Sequence, residues 1–330
     1  MKRRFCIFIG LFLWFGTMVY SWAEVFPSVG ECSSPIYVEK QVPMMGTLVT
    51  LRLYAPQEKT QAEMRAIVEG AVACAREVEK RFSAFDPDSE LSYINDAPHG
   101  RVIPISPMMR EVLTLALSLA KLSDGAFDPT LGPCIRLWRK AKRTGQLPAA
   151  DRLCTARAAS GWQKLHLSPE GVCKTVPGMR LDLGGIAKGV AVDGMVRYVK
   201  SKGIVSYCID TTSDIALGAA PPGAKGWRVG LPGQGAATLT LSNAMISTSG
   251  ELHQKVTIQG RSYAHIIDPT TGLGHTSVRQ VTVRASSATL ADACATAFSL
   301  LPENQAELLA KKLGVKIIAS SSQMSMKQAD

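Results

Sequence analysis

Glycines, an aspartate and a lysine lie close together near the middle of the chain, in residues 181–189 (LDLGGIAKG). The adjacent Gly184 and Gly185 allow backbone amides to approach a ligand closely, because no Cβ stands in the way. A helix that begins beside them adds unpaired N–H groups and a positive dipole end, and Lys188 adds a mobile positive charge. These features suit a ligand that carries phosphate. An ordinary strand–turn–helix corner with a surface lysine is the alternative, because short glycine motifs are weak signals.

A carboxylate and a hydroxyl lie one helical turn apart in the alanine-rich residues 290–296 (LADACAT). Asp292 and Thr296 occupy positions i and i+4, so they share one face of a helix. Oxygen ligands among small residues suit Mg²⁺. The alternative is an acid near a helix N-terminus, followed by a buried threonine.

A histidine and an aspartate precede a turn in residues 263–272 (YAHIIDPTTG). His265 ends a predicted strand, and Asp268 opens the Pro-Thr-Thr-Gly turn. A histidine with a near-neutral pKa can accept the proton of an attacking hydroxyl. A structural histidine beside a strand is the alternative.

Two further stretches place aromatic or small residues before these motifs. Phe82 and Phe85 flank a polar turn in residues 82–95 (FSAFDPDSELSYIN), where a flat ligand ring could stack. An Asp-Pro turn with aromatic anchors is the alternative. Residues 44–47 (MMGT), taken alone, predict the entry to a strand.

Hydrophobic periodicity predicts the elements that must position these residues. Residues 81–95 are predicted as a loop, and residues 139–160 as an exposed linker with a short helix. An extended piece, 179–183, is predicted to lead into the central helix, which ends at about Lys202. Helices and antiparallel strands together indicate an α+β fold. The remaining predicted helices are 60–82, 106–122, Ala288–Leu300 and 302–313, and the predicted strands are Thr47–Tyr54, 204–209, six short segments within 227–283, and 315–319.

Composition and charge limit the classes of function. The chain has 330 residues, of which 46% are hydrophobic, and this is ample for a buried core in one large or two medium domains. The formal net charge is +10, of which three charges lie at residues 2–4. No dense Lys/Arg run with interleaved aromatics occurs, which argues against nucleic-acid binding. The surplus suits anionic ligands or solubility.

The N-terminus predicts export. A basic start, an apolar run over residues 5–20 and the small residues Ser21 and Ala23 predict a signal peptide, residues 1–23, with cleavage after Ala23. The apolar run is shorter than the ~20 residues of a full membrane span, which favours cleavage over an anchor. We therefore expect a periplasmic protein, or one at the outer face of the cytoplasmic membrane with an inner-membrane association. Residues 24–40 are predicted as a linker and residues 321–330 as a flexible tail.

Eight cysteines occur, and Cys6 lies within the predicted leader. The seven that remain form no CxxC pair, which disfavours zinc and thioredoxin-like redox sites. An odd number leaves at least one free thiol. The sequence does not establish any disulfide.

The set and order of motifs resembles the ApbE family, the FAD:protein FMN transferases. The motifs are MGT, FS…DSELSYIN, GAFDPTLGP…LW, DLGGIAKG, ISTSG, HIIDPTTG and VTV…ADACATA, over about residues 41–315. The resemblance implies a T-fold-like α+β sandwich of antiparallel sheets and helices, forming a single catalytic unit with two lobes over residues 41–320. It also implies Mg²⁺-dependent transfer of FMN from FAD to a Thr or Ser hydroxyl of an acceptor redox protein, with release of AMP.

The resemblance also implies roles for individual residues. Gly185, through its carbonyl, and the side chains of Asp292 and Thr296 are expected to hold Mg²⁺. His265 is expected to accept the proton, with Asp268 as a second catalytic residue. The residues expected to contact FAD are Met45, Phe85, Ala126, Phe127, Asp128, Asp182, Lys188 and, through its backbone, Ile267.

One departure and two alternatives accompany the resemblance. Family members usually carry Gly-Gly-Asp where this chain has Thr212-Ser213-Asp214, so backbone freedom is lost there. If water replaces the acceptor, the same site is a Mg²⁺-dependent FAD pyrophosphatase that gives FMN and AMP. Phe85 favours transfer because its bulk would help exclude water. A non-catalytic FAD-binding protein is disfavoured by the predicted metal ligands, since storage needs no metal.

Overall fold

The computed structural model describes residues 35–56, 58–231, 238–250 and 255–321, and all structural statements concern these ranges. The predicted signal peptide, most of the predicted linker and the tail from residue 322 lie outside the described residues. Within them, no helix is long and apolar enough to cross a membrane.

The described residues alternate between helices and mostly short strands. The helices are α1 (Gln61–Phe82), α2 (Glu90–Asp96), α3 (Pro107–Leu122), α4 (Gly132–Thr144), α5 (Ala150–Ala158), α6 (Ala187–Ser201), α7 (Ala288–Leu300) and α8 (Glu303–Leu313). The strands are β1 (Tyr37–Met44), β2 (Thr47–Tyr54), β3 (Val102–Ile103), β4 (Leu165–Ser168), β5 (Gly171–Lys174), β6 (Ser206–Asp210), β7 (Asp214–Leu217), β8 (Trp227–Gly230), β9 (Thr238–Leu241), β10 (Ala244–Ser249), β11 (Val256–Ile258), β12 (Arg261–Tyr263), β13 (Gln280–Ala285) and β14 (Lys316–Ser321).

A seven-stranded antiparallel sheet, in the order β1-β2-β6-β7-β10-β13-β14, forms the framework. Helix α6 packs against both α1 and α7, and α7 also packs on β10 and β13. A second hydrophobic cluster joins α4 and α5 to the β11–β12 hairpin through Trp138, Tyr263 and Ile267. The prediction of an α+β fold is confirmed.

Local signals explain why the helices that carry the site begin where they do. The Ser287 side chain accepts the amide hydrogen of Leu290 and thereby caps α7. From α6, the Asp193 carboxylate accepts the amides of Ala288 and Thr289, both at 2.9 Å. A carboxylate at a helix N-terminus also complements the helix dipole. These bonds fix the start of α7 against α6.

Gly189 allows the two helices to approach closely. A Cβ at this position would lie 2.5 Å from the carbonyl oxygen of Ala288 and 2.6 Å from the Cα of Thr289. A larger residue would therefore force α6 and α7 apart. Gly189 is therefore required for the packing of α6 against α7, whether or not the glycine-containing segment also binds a ligand.

The structure corrects four local predictions. Residues 37–40 belong to β1 and not to a linker, because they pair with β2. The predicted loop 81–95 contains α2, which Ser89 caps. Residues 139–160 form the C-terminal part of α4 and all of α5 instead of an exposed linker with a short helix, since a narrow apolar stripe is enough to pack α4 against the protein. The extended piece before α6 forms only one parallel bridge, between Leu131 and Arg180.

Candidate functional site

A half-buried lysine and two buried aspartates meet where α6, β7 and α7 come together. The Nζ of Lys188 lies 3.0 Å from Oδ2 of Asp214 and 3.4 Å from Oδ1 of Asp292. Asp214 is fully buried and Asp292 nearly so. Residues that lie 104 positions apart in the chain therefore share one charged cluster. Because both carboxylates are shielded from water, their interactions with Lys188 are stronger than those of surface pairs.

Asp214 holds the centre of this cluster. Besides Lys188, its carboxylate accepts hydroxyl hydrogens from Ser247 at 2.6 Å, Ser213 at 2.7 Å and Thr211 at 2.8 Å. Burial tends to raise the pKa of Asp214, but Lys188 and the hydroxyl donors outweigh it and hold the pKa below its usual range. Asp214 is therefore ionised and anchors the ammonium group of Lys188.

Asp292 has a different electrostatic environment. Its Oδ2 accepts the amide hydrogen of Gly189 at 3.0 Å. Burial and the neighbouring Asp214 carboxylate together raise the pKa of Asp292 to about 6, because they outweigh the attraction of Lys188. Two carboxylates thus share one ammonium, and the pKa of Lys188 lies above its usual range because their attraction outweighs its burial. When both carboxylates are ionised, the cluster carries one net negative charge, which another cation can neutralise.

Gly185 lies directly against Thr296 on α7. A Cβ on Gly185 would lie 3.3 Å from Cε2 of Phe127, 3.4 Å from Cγ2 of Thr296 and 3.5 Å from Oγ1 of Thr296. Thr296 follows Asp292 by one helical turn and is half-buried. The turn that carries Gly185 therefore lies against Thr296 of α7, one helical turn after Asp292. The Gly185 carbonyl, the Thr296 hydroxyl and the Asp292 carboxylate are oxygen donors of the kind that fit Mg²⁺.

The donor set is not a cluster of acids or imidazoles. Among the residues that the structure describes, no three His, Cys, Asp or Glu side chains are grouped to hold a metal ion. A site at Gly185, Asp292 and Thr296 would use one carboxylate only. Mg²⁺ usually retains several waters and binds protein through one or two carboxylates together with substrate phosphates, so this small set is sufficient.

Asp182 and Phe85 are joined by Arg139, which the sequence analysis did not single out. The Nη2 of Arg139 donates to Oδ2 of Asp182 at 2.8 Å, while the amide of Gly184 donates to Oδ1 at 3.0 Å. The guanidinium of Arg139 lies 4.7 Å from the centre of the Phe85 ring. The Phe85 side chain is 78% exposed, so most of its surface is open to a partner.

The motif 126–128 places its three residues in different surroundings. Ala126 is half-buried, and Phe127 is buried against Gly185. Asp128 closes a turn, because its carboxylate accepts the amide and hydroxyl of Thr130 and, at 3.1 Å, the amide of Trp162. Burial raises the pKa of Asp128.

Met45 lies at the tip of the β1–β2 hairpin. Met45 and Gly46 both have positive φ, at 52° and 70°. Such angles are those of a two-residue type I′ turn, which matches the twist of antiparallel strands. The amide of Met45 donates to Oε1 of Glu79 on α1 at 2.6 Å. The MGT motif is therefore a hairpin turn held against a helix.

His265 is exposed, and among the described residues its side chain makes no hydrogen bond. Desolvation by the surrounding protein, together with the positive charges of Lys142 and Lys188, lowers the pKa of His265 to about 4. The imidazole is therefore neutral at neutral pH and has a lone pair with which to accept a proton.

Asp268 and Ile267 form the turn that follows His265. The Oδ1 of Asp268 accepts the amide of Thr270 at 2.8 Å and its hydroxyl at 2.6 Å. Ile267 is buried and pairs with Gly274 in a single antiparallel bridge. The contacts of Asp268 are those of a residue that shapes a turn, and its catalytic role stays a prediction.

The sequence profile of the ApbE family matches residues 45–319. This chain belongs to the ApbE family. Among its curated relatives is an FAD:protein FMN transferase of Treponema pallidum, which is 32% identical over 295 residues that cover 82% of this chain and 81% of the relative. Another, from Vibrio cholerae, is 28% identical over 297 residues that cover 87% of this chain and 88% of the relative.

Solved structures agree with this assignment. A flavin transferase ApbE from Vibrio cholerae has a TM-score of 0.77 at 26% identity, with 88% of this chain and 98% of that chain covered. The apo form of a Pseudomonas stutzeri flavinyl transferase ApbE also has a TM-score of 0.77 at 26% identity, with 89% and 96% covered. The sandwich of antiparallel sheets and helices that the ApbE resemblance implied is confirmed.

The departure from the usual ApbE glycines lies beside the charged cluster. Thr212 has φ of 70°, a conformation that a β-branched residue rarely adopts. Its amide donates to Oδ1 of Asp210 at 2.7 Å, and its hydroxyl lies 3.0 Å from that of Thr47. Thr212 therefore has a backbone conformation that is typical of glycine, although a threonine occupies this position.

Sequence reasoning brought Lys188, Gly185, Asp292 and Thr296 to one site but did not assign Asp214. The signal for it was present, because Asp214 ends the TTSD stretch and pairs in register with Ser247 of the ISTSG motif. Only the order of β7 and β10 in the sheet brings these two polar stretches together.

Proposed function

We propose that this chain transfers the FMN part of FAD to a Thr or Ser hydroxyl of an acceptor protein and releases AMP. Membership of the ApbE family and the names of its curated relatives support the reaction. The single structural observation that carries the proposal is the position of Lys188. Its ammonium lies 3.4 Å from Asp292, one helical turn before the Thr296 that Gly185 contacts, where a pyrophosphate and its metal would need positive charge and oxygen ligands.

The first task of the protein residues is to hold FAD. Phe85 offers an exposed ring face for stacking, and Asp182 offers a carboxylate that Arg139 already orients. Phe127 is packed against Gly185, so a ligand seated on it lies next to the proposed metal ligands. The remaining proposed FAD contacts are Met45, Ala126, Asp128, Lys188 and the backbone of Ile267.

The second task is to stabilise the charge that develops when the pyrophosphate bond breaks. Lys188 provides a fixed positive charge, and its two aspartates keep it protonated. Gly185, Asp292 and Thr296 would hold Mg²⁺, which supplies additional positive charge to the phosphate oxygens when bound. The buried setting of the cluster makes each of these interactions stronger than it would be in water.

The third task is proton transfer. The acceptor hydroxyl attacks the phosphorus on the FMN side, a new P–O bond forms, and the bond to the AMP phosphate breaks. Neutral His265 accepts the hydroxyl proton as that bond forms. AMP departs with the bridging oxygen and its electron pair. Asp268 shapes the turn that follows His265 and would influence the position of the imidazole.

Hydrolysis of FAD is the second candidate, and the exposure of His265 favours it. Because the imidazole is open to solvent, water could take the place of the acceptor hydroxyl. The products would then be FMN and AMP. No observation favours a protein that only stores FAD.

One experiment separates these reactions. The mature chain is incubated with FAD and Mg²⁺, with and without an acceptor protein that contains a candidate threonine, while AMP and protein-bound flavin fluorescence are followed. AMP that depends on the acceptor supports transfer. AMP without the acceptor supports hydrolysis, and intact bound FAD contradicts both.

We also propose that the protein is exported and acts on redox proteins at the outer face of the cytoplasmic membrane. The support is the basic and apolar composition of residues 1–23. Fractionation of cells that express the full chain or a chain without residues 2–23 tests it. Equal amounts of both chains in the cytoplasmic fraction would contradict export.

A further inference from the structure

Helix α4 buries one narrow stripe and leaves its cations on the surface. Its buried residues include Cys134, Trp138 and Ala141, at the spacing of a single helix face. Arg136, Lys140 and Arg143 are exposed. Because these three follow one another at intervals of four and three, they share a different face, over about 10 Å of helix.

This basic face of α4 lines a cleft of about 450 Å³ that also reaches Phe85 and Asp182. Two acids of the cleft are already neutralised, because Arg139 pairs with Asp182 at 2.8 Å and Arg180 with Asp96 at 2.7 Å. The other cations have neither a hydrogen bond nor an ion pair in the described part of the chain. The cleft thus has three uncompensated positive charges, on Arg136, Lys140 and Arg143.

The cleft shares Phe85 and Asp182 with the proposed FAD site. Arg139 belongs to the cleft lining and also holds Asp182 and Phe85. On another face of α4, the ring of Trp138 lies 5.3 Å from the ring of Tyr263, two residues before His265. A protein whose hydroxyl reaches His265 therefore approaches alongside α4.

We propose that the basic face of α4 binds an acidic segment of the acceptor protein while the acceptor hydroxyl is presented to His265. The inference rests on the proposed transferase function only in naming the acceptor as the partner. Cations that are spaced along a helix match several separate carboxylates of a polypeptide better than one compact phosphate. Exposed charges of this kind contribute mainly to the association rate and to partner choice.

The first test measures binding without any flavin chemistry. Fluorescence anisotropy follows a labelled peptide of glutamates around one threonine, and a matched peptide with glutamines. We expect Lys140→Glu/Arg143→Glu to weaken binding of the glutamate peptide about tenfold, as several exposed ion pairs would. The matched control is Lys311→Glu/Lys312→Glu, which reverses two exposed cations in the last turn of α8 and so has the same net charge. Equal loss in both variants, or equal binding of both peptides, would overturn the proposal.

The second test separates the acceptor from other anionic partners. The affinity for FAD, measured by flavin fluorescence, should be the same in Lys140→Glu/Arg143→Glu as in the unmodified chain. Co-sedimentation with vesicles of equal parts phosphatidylglycerol and phosphatidylcholine should also be unchanged. A tenfold loss of FAD affinity would assign the cleft to the flavin, and a selective loss of vesicle binding would assign it to a membrane. Either result would refute the proposal.

The third measurement links the cleft to catalysis. With an acceptor that is flavinylated, the variant should lower kcat/KM for the acceptor about tenfold with little change in kcat, and high salt should remove the difference. A change in kcat alone would contradict a docking role. If no acceptor is flavinylated, the transferase proposal fails. The anisotropy measurement with the glutamate peptide would still test whether the basic face of α4 binds an acidic segment.

Discussion

Replacement of Asp214 by asparagine would remove one negative charge from the buried cluster without changing its shape. In the native site, Oδ2 of Asp214 accepts from Lys188, Ser213 and Thr211, and Oδ1 accepts from Ser247. An asparagine has only one acceptor oxygen, so its NH₂ group must face the donors to either the Oδ1 or the Oδ2 position. Hydroxyls can rotate, but the ammonium of Lys188 cannot become an acceptor.

The magnitude follows from burial. Asp214 is 0% exposed, and loss of one partner from a buried ion pair costs about 3–5 kcal/mol. The hydroxyl groups and Asp292 can partly compensate, so we expect about 3 kcal/mol of destabilisation, at the lower end of that range. For a domain of this size each kcal/mol lowers Tm by about 2–4 °C, which corresponds to roughly 6–12 °C.

Calorimetry and urea unfolding of the Asp214→Asn variant measure this effect. Ser247→Ala is the matched control, because it removes one hydroxyl from the same carboxylate and leaves the charge pair, and should cost only about 1 kcal/mol. The FMN-transfer rate should fall as well, since Lys188 loses the partner that holds it. If Asp214→Asn lowered Tm by less than Ser247→Ala does, the view that Asp214 anchors the cluster would be refuted.

Three further predictions concern the metal, the proton acceptor and the strained loop. Asp292→Ala should abolish Mg²⁺-dependent release of AMP while Ser299→Ala, a change of a neighbouring hydroxyl on α7, retains it; unchanged Mg²⁺ dependence in Asp292→Ala would rule out the metal assignment. Because the pKa of His265 is lowered to about 4, the imidazole becomes protonated only at acidic pH, so its NMR resonance, assigned by its loss in His265→Gln, should shift near pH 4; a shift near the ordinary histidine pKa would contradict this. Thr212→Gly should raise the free energy of unfolding by about 1 kcal/mol, because the strain of φ 70° outweighs the entropy cost of glycine, and lower stability in urea unfolding would show that the Thr47 contact dominates.

Local signals determined much of this protein from sequence alone. The boundaries of α1 and α3 follow from apolar periodicity and from Thr60 and Ser106 as caps, which act within a few residues of the chain. The motif order identified the family that the profile then confirmed. Periodicity did not reveal α2, which is too short, or the full extent of α4, whose cations obscure its apolar stripe.

Tertiary structure alone decided which charged groups meet. Lys188 contacts Asp214 because β7 lies at the centre of the sheet next to α6. Asp214 accepts from Ser247 because the pairing of β7 with β10 places these two residues opposite each other. Similarly, the pairing of Arg139 with Asp182 depends on how α4 lies against residues 181–185. Sequence spacing fixes neighbours on one helix face or strand, whereas partners across the fold depend on the order of strands and the packing of helices.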